Sequence, residues 1–113
     1  MSCLFCRIIA REIPASELYR DDQLVAFADI NPQAPLHVLV VPVRHIATLN
    51  DLLAEDEPLV GAMVRRAALI AAAHGYASAG FRTVFNCNAQ AGQTVFHVHL
   101  HLLAGRQFTW PPG

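Results

Sequence analysis

The stretch His97-Val98-His99-Leu100-His101-Leu102-Leu103 alternates imidazole and apolar side chains for three cycles. A period of two has a physical meaning in an extended strand, where successive side chains point to opposite faces. The three imidazoles then share one face and the valine and leucines the other, so the chain must build a sheet with one apolar side. Same-face neighbours on a strand stand about 6.6–7 Å apart, which lets one imidazole touch a bound group while the next orients it. Histidine suits such work because its ordinary pKa of about 6.5 lets it act as nucleophile, base or acid near neutrality. A core or surface role without chemistry explains a single histidine but not three in alternation on an apolar strand. The interleaved apolar residues exclude a purification tag. A tri-histidine zinc site with an open position for water is the chemical competitor.

The rest of the chain supplies partners for that strand. Gln23 to Asp29 is apolar and stops at Asn31-Pro32, and His37 to Val41 is largely β-branched up to Pro42, whose missing amide proton marks a strand end or an edge. From Pro58 to about His74, Leu59, Met63, Ala67 and Ile70 recur at three- and four-residue steps, which predicts a helix. Asp56 is its expected N-cap, Glu57 and Pro58 suit its first turn, and Gly75 its left-handed stop. Arg82 to Cys87 and Val95 to Leu103 read as two further strands joined by a loop from Asn88 to Thr94, with a short apolar turn around Phe5, Ile8 and Ile9 at the start. Strands, one helix, then strands, without βαβ alternation, predict an α+β domain on an antiparallel sheet.

A chain of 113 residues accommodates one core, so a single domain over 1–113 is expected. With 54% hydrophobic residues and a formal charge of −1, it is neither a disordered chain nor a broad basic surface for nucleic acid. No apolar run approaches the roughly 20 residues that cross a bilayer. The expectation is a soluble, cytoplasmic protein with neither nucleic acid nor a membrane as partner. Of the three cysteines, Cys87 reads as a half-buried strand residue, while the spacing of Cys3 and Cys6 suits metal or redox chemistry better than a disulfide scaffold.

These motifs together resemble the histidine-triad family, in particular its branch of small nucleotide-binding phosphoramidases. Besides the triad, the resemblance rests on Asp29-Ile30-Asn31-Pro32-Gln33-Ala34-Pro35, the strand containing His37, Ala91-Gly92-Gln93-Thr94, and the ending Gly105-Arg106-Gln107 followed by Trp110-Pro111-Pro112-Gly113. It implies an antiparallel sheet of about five strands with one long and one short N-terminal helix, paired as a two-fold homodimer with a continuous sheet. It further implies that His99 attacks the α-phosphorus of a purine nucleoside 5′-phosphate derivative and carries the nucleotidyl group until water takes it. In this reading the main-chain carbonyl of His97 orients His99, His101 contacts the phosphate or the bridging atom, and His37 steadies the triad. Asp29 holds the ribose hydroxyls, and Phe5, Ile8, Phe27 and Ile30 form an apolar slot for the base. Asn86, Gly92, Gln93 and Thr94 surround the phosphoryl oxygens, and Trp110 reaches the partner's site.

Cys3-Leu4-Phe5-Cys6 resembles family members that hold structural zinc with this pair, a downstream histidine and the first triad histidine, here His45 and His97. Zinc at Cys3, Cys6, His45 and His97 would take the His97 side chain away from any relay with His37, leaving its main-chain role intact. The implied reaction is cleavage of the P–N bond of purine nucleoside phosphoramidates. Hydrolysis of dinucleoside polyphosphates or another nucleotidyl transfer is the enzymatic alternative, and a nucleotide-binding regulatory module with negligible turnover is the non-enzymatic one.

Overall fold

A computed structural model describes residues 3–113. The sheet has five strands, β1 (Glu17–Arg20), β2 (Leu24–Ala28), β3 (Leu36–Pro42), β4 (Phe81–Phe85) and β5 (Leu100–Ala104), in the order β1-β2-β3-β5-β4. Every neighbouring pair is antiparallel. Helix α1 (Leu4–Ile9) precedes the sheet, and α2 (Glu57–Ala73) lies between β3 and β4. The α+β architecture expected from the sequence is the one observed.

Strand parity divides the core in two. Leu24, Ala26, Val38, Val40, Leu100 and Leu102 point to one face and pack against Met63, Ala67, Ile70 and Ala71 of α2. Val25, Phe27, Leu39 and Val41 point the other way and pack against Phe5 and Ile8 of α1. The seventeen-residue α2 covers the centre of one side, while the six-residue α1 covers a smaller part of the other. Each large apolar side chain removed from water contributes roughly 1.5–3 kcal/mol, so the α2 face carries most of the fold's stability and the α1 face is free to hold a site.

The α2 boundaries agree with the periodicity, and its end is a Schellman motif. Gly75 takes φ +85°, with Gly75 N–H bonded to the Ala72 carbonyl at 3.0 Å and Tyr76 N–H to that of Ala71 at 2.9 Å. Asp56 precedes α2 but does not cap it with its side chain. Its buried carboxylate accepts from Leu53 N–H at 2.8 Å and pairs with Arg44, closing the preceding 3-10 turn instead.

Two expectations about strands are corrected. β1 is a further strand beyond those expected from the sequence. It is four residues long, mixed in character and irregular in register between Glu17 and Tyr19, so it carries almost no period. The last strand begins at Leu100, not Val95. Leu100 pairs with Val40, which would set Val98 opposite Pro42, and Pro42 has no amide proton for the ladder. Val98 N–H turns instead to the Ile46 carbonyl at 2.7 Å, and His97 to His99 form a bent arm leading into β5.

Candidate functional site

The three triad histidines lie on the α1 side of the sheet, as the alternation predicts, and His37 joins them there, but the four form two groups. His101 on β5 and His37 on β3 meet with Nδ1 of the former 2.9 Å from Nε2 of the latter. The His99 ring stands 5.0 Å from that of His101 and meets the Phe5 ring edge-on, also at 5.0 Å. His97, fully buried, turns away toward the N-terminal cysteines.

Main-chain partners fix the protonation pattern. Nδ1 of His99 lies 2.7 Å from the His97 carbonyl oxygen, which can only accept, so in the neutral ring the proton sits on Nδ1 and Nε2 is the lone-pair atom. Gln33 N–H donates to Nδ1 of His37 at 3.0 Å, which puts the proton of neutral His37 on Nε2, where it faces Nδ1 of His101. His101 in turn carries its proton on Nε2. Burial, reinforced by the neighbouring His99 and His37, pushes the His101 pKa down to about 4. Burial also lowers that of His37, against a partly opposing pull from Asp29. Both rings are therefore neutral at physiological pH. Asp29, His37 and His101 converge closely enough for a cation, but with its Nδ1 occupied His37 offers a proton there and not a lone pair.

His99 and His101 line a hollow of about 360 Å³, together with the apolar side chains of Phe5, Ile8, Phe27, Ile30 and Leu39 and the polar ones of Asp29 and Thr94. Phe5 and Phe27 meet edge to face at 5.5 Å and are buried walls. Ile30 lines the hollow at its rim and is 99% exposed. The Asp29 carboxylate accepts from Asn31 N–H at 2.9 Å, and its other oxygen lies 3.4 Å from Nε2 of His37. Leu39 is a wall of the hollow not expected from the sequence, although its position two residues beyond His37 on the same face is a sufficient signal. Gln33 was also missed as a site residue, because it acts through its amide and its side chain leaves no trace of that. A second hollow, of about 600 Å³, is lined by Asp22, Arg44, Glu55 and Asp56 among others. No histidine or cysteine lines it, and its buried carboxylate is already satisfied.

The phosphate-side loop departs from expectation. The buried Gln93 carboxamide is spent on the protein itself: its oxygen accepts from Asn88 N–H at 2.8 Å, and its nitrogen donates to the carbonyls of Ala47 at 2.9 Å and Val95 at 3.1 Å. Gln93 N–H is also used, on the Asn88 carbonyl. Gln93 is thus a strut within the loop. Gly92 supplies the left-handed residue, φ +82°, that ends the turn Ala89–Ala91. Thr94 faces the hollow, whereas Asn86 is half-buried just beyond β4 and does not line it. Cys87, expected within the strand, is half-buried just past the end of β4. Trp110 is 82% exposed on the C-terminal tail.

The second group consists of Cys3, Cys6, His45 and His97, whose ligand atoms all lie within 4.8 Å of one another. Nδ1 of His97 is 3.5 Å from Cys3 Sγ, 3.6 Å from Cys6 Sγ and 3.2 Å from Nδ1 of His45, which is 3.4 Å from Cys6 Sγ. A tetrahedral zinc with ordinary bond lengths has N–N edges of about 3.3 Å and N–S edges of about 3.6 Å, so the four residues fit such an ion. Nε2 of His97 donates to the Pro42 carbonyl at 2.7 Å, leaving Nδ1 as the lone-pair atom. The side chain is therefore absent from the His37–His101 pair, as ligation would require.

Residues 2–109 match the family model described as "Scavenger mRNA decapping enzyme C-term binding". A HIT-like protein of Synechocystis is 49% identical over 110 residues, covering 97% of this chain and 96% of that one. The chain belongs to the histidine-triad family. Within that family, a protein of Escherichia coli K12 named purine nucleoside phosphoramidase is 48% identical over 103 residues, 91% of this chain and 87% of its own. Among solved structures, a histidine-triad hydrolase from Legionella pneumophila superposes with a TM-score of 0.97 at 51% identity, covering 99% of this chain and 100% of that one. A histidine-triad protein from Clostridium difficile gives 0.93 at 40% identity over 96% and 95% of the two chains. The chain is thus a histidine-triad protein of hydrolase type, and no helix among its described residues is long and apolar enough to cross a membrane.

Proposed function

We propose that this protein hydrolyses purine nucleoside 5′-phosphoramidates to the nucleoside monophosphate through a nucleotidyl group on His99. The observation that carries this reading is the 2.7 Å bond from His99 Nδ1 to the His97 carbonyl, which makes Nε2 the lone-pair atom of the neutral ring, on a residue that lines the hollow. The name and 48% identity of the Escherichia coli relative support the substrate class.

In the first step Nε2 forms a bond to the α-phosphorus as the P–N bond breaks, and the leaving nitrogen departs as an amine with a proton from solvent. The His99 ring becomes cationic, and its Nδ1–H bond to a carbonyl oxygen stabilises that charge without a proton transfer. In the second step water attacks phosphorus, the P–Nε2 bond breaks, one proton returns to solvent and neutral His99 is restored. His101 donates its Nε2–H to a phosphoryl oxygen, Thr94 contributes a second polar contact, Asp29 accepts from the ribose hydroxyls, and the base lies among Phe5, Ile8, Phe27 and Leu39.

Zinc at Cys3, Cys6, His45 and His97 completes the proposal as a structural ion. It would supply a closed tetrahedral cross-link and no reacting group. Burial and the neighbouring Cys3 push the Cys6 thiol up, so zinc binding would release protons. We also propose a two-fold homodimer that covers the exposed Trp110, checked by sedimentation of the full chain.

The deciding experiment measures single-turnover and steady-state AMP release from adenosine 5′-phosphoramidate by wild type and by a His99→Ala variant shown to be folded, beside a dinucleoside polyphosphate. Turnover should fall by roughly 10³-fold or more in the variant. Unchanged turnover would remove His99 as nucleophile. Tight AMP binding without turnover of either substrate would favour the regulatory binding module.

A further inference from the structure

The proton pattern of His37 and His101 starts at one amide, Gln33 N–H, and that amide lies on an exposed turn with little burial of its own. Something must hold the turn in place. The C-terminal reversal after β5 does so at two points. Gly105, at φ +101°, passes so close that an added Cβ would stand 2.8 Å from the Cβ of Pro35. The next residue, Arg106, donates its Nε–H to the Gln33 carbonyl at 2.9 Å.

Arg106 is itself held. Its Nη1 donates to the Gln107 carbonyl at 3.2 Å, and its guanidinium lies 4.4 Å from the centre of the Phe108 ring, on which Arg82 also packs at 5.1 Å. Arg82 donates to the Thr109 carbonyl at 3.0 Å, tying the tail to β4. A continuous series of donors results, from Arg106 through the peptide groups of Gln33 to His37 Nδ1, and from His37 Nε2 to His101 Nδ1.

We infer that Arg106 is a positioning residue for the histidine site, holding the Gln33 amide on His37 so that His101 presents its Nε2–H to the hollow. It touches neither the hollow nor the reacting atoms. Without it the Asn31–Pro35 turn keeps only the Gly105–Pro35 contact with the C-terminal reversal, Gln33 N–H spends part of its time on water, and His37 gains access to the other tautomer. His101 then loses its fixed donor. The effect falls on the reaction step and not on nucleotide affinity, because the apolar walls and Asp29 remain.

The inference rests on the proposed chemistry for its kinetic part only, and its test therefore has two readings. Long-range proton–nitrogen spectra of the ligand-free protein report the imidazole tautomers directly. Wild type should show both His37 and His101 fixed as Nε2–H, Arg106→Ala should give averaged His37 signals, and Arg106→Lys should recover part of the wild-type pattern. With adenosine 5′-phosphoramidate, Arg106→Ala should lower kcat about fivefold, the scale of one lost hydrogen bond, with KM within about twofold. Unchanged His37 signals in Arg106→Ala overturn the inference, whatever happens to kcat. So does a change confined to KM. Absence of turnover in wild type would sink the proposed reaction instead, while the spectra still decide the role of Arg106.

Discussion

Replacement of Gln93 by alanine separates two accounts of the loop before the triad. Family resemblance makes Gln93 a phosphate contact, whereas its carboxamide is occupied by Asn88, Ala47 and Val95 at 2.8–3.1 Å. Each such bond contributes about 1 kcal/mol net, giving an upper figure of roughly 3 kcal/mol for the three. Asn88 is exposed and can recover a water partner, but it also holds φ +66°, a conformation the bond to Gln93 helps to maintain. A loss of about 2–3 kcal/mol is therefore expected, which in a domain of this size lowers Tm by roughly 10 °C. Urea unfolding at neutral pH, with slopes compared to exclude a change in the unfolded state, gives the value. The phosphoramidate KM should change little at temperatures where the variant is folded. Wild-type stability combined with a tenfold or larger rise in KM would refute the strut and restore Gln93 as a ligand contact.

Other substitutions test other levels of the fold. Gly105→Ala adds a Cβ 2.8 Å from that of Pro35 at φ +101°, and should cost about 2 kcal/mol or more in urea unfolding; a neutral result would mean the reversal yields freely. Arg11 occupies the left-handed position after α1 at φ +62°, so Arg11→Gly should stabilise by about 0.5–1 kcal/mol despite loss of its exposed contact with Glu17, and destabilisation would contradict this. The folded pKa of His101 near 4 lies below its ordinary 6.5, so the unfolded chain takes up the proton first. Stability should be complete above pH 6.5 and decline as pH falls toward 4, more steeply in wild type than in His101→Gln; equal slopes would remove His101 as the cause. A chelator should lower Tm reversibly, with zinc restoring it, and Cys6→Ser should abolish the response; a chelator-insensitive protein free of zinc by elemental analysis would dismiss the ion.

Much of the site was legible because sheet geometry converts spacing into position. The alternation at His97 to Leu103 put the imidazoles on one face even though its first three residues lie outside the ladder, since a bent arm can keep the parity of the strand it feeds. Apolar recurrence marked α2 to within a residue or two, because seventeen residues give a period time to repeat. Four-residue β1 has no such repeat, and its place depends on pairing with β2. The contact between Pro42 and the His97 ring, and the fate of the Gln93 carboxamide, depend on backbone atoms distant in sequence, which no local pattern encodes.

The histidine array is anchored on peptide groups, namely the Gln33 amide and the carbonyls of His97 and Pro42. Nearly every amino acid carries those groups, so drift at position 33 is silent for the placement of the imidazole protons. Proline is the exception there, because it alone deletes the donor. Position 33 lies between Pro32 and Pro35, where a single further proline codon would rewrite the tautomers of two histidines without altering either one. A histidine site of this kind tolerates variation in its surroundings while remaining vulnerable to one class of backbone lesion that a catalogue of its side chains would overlook.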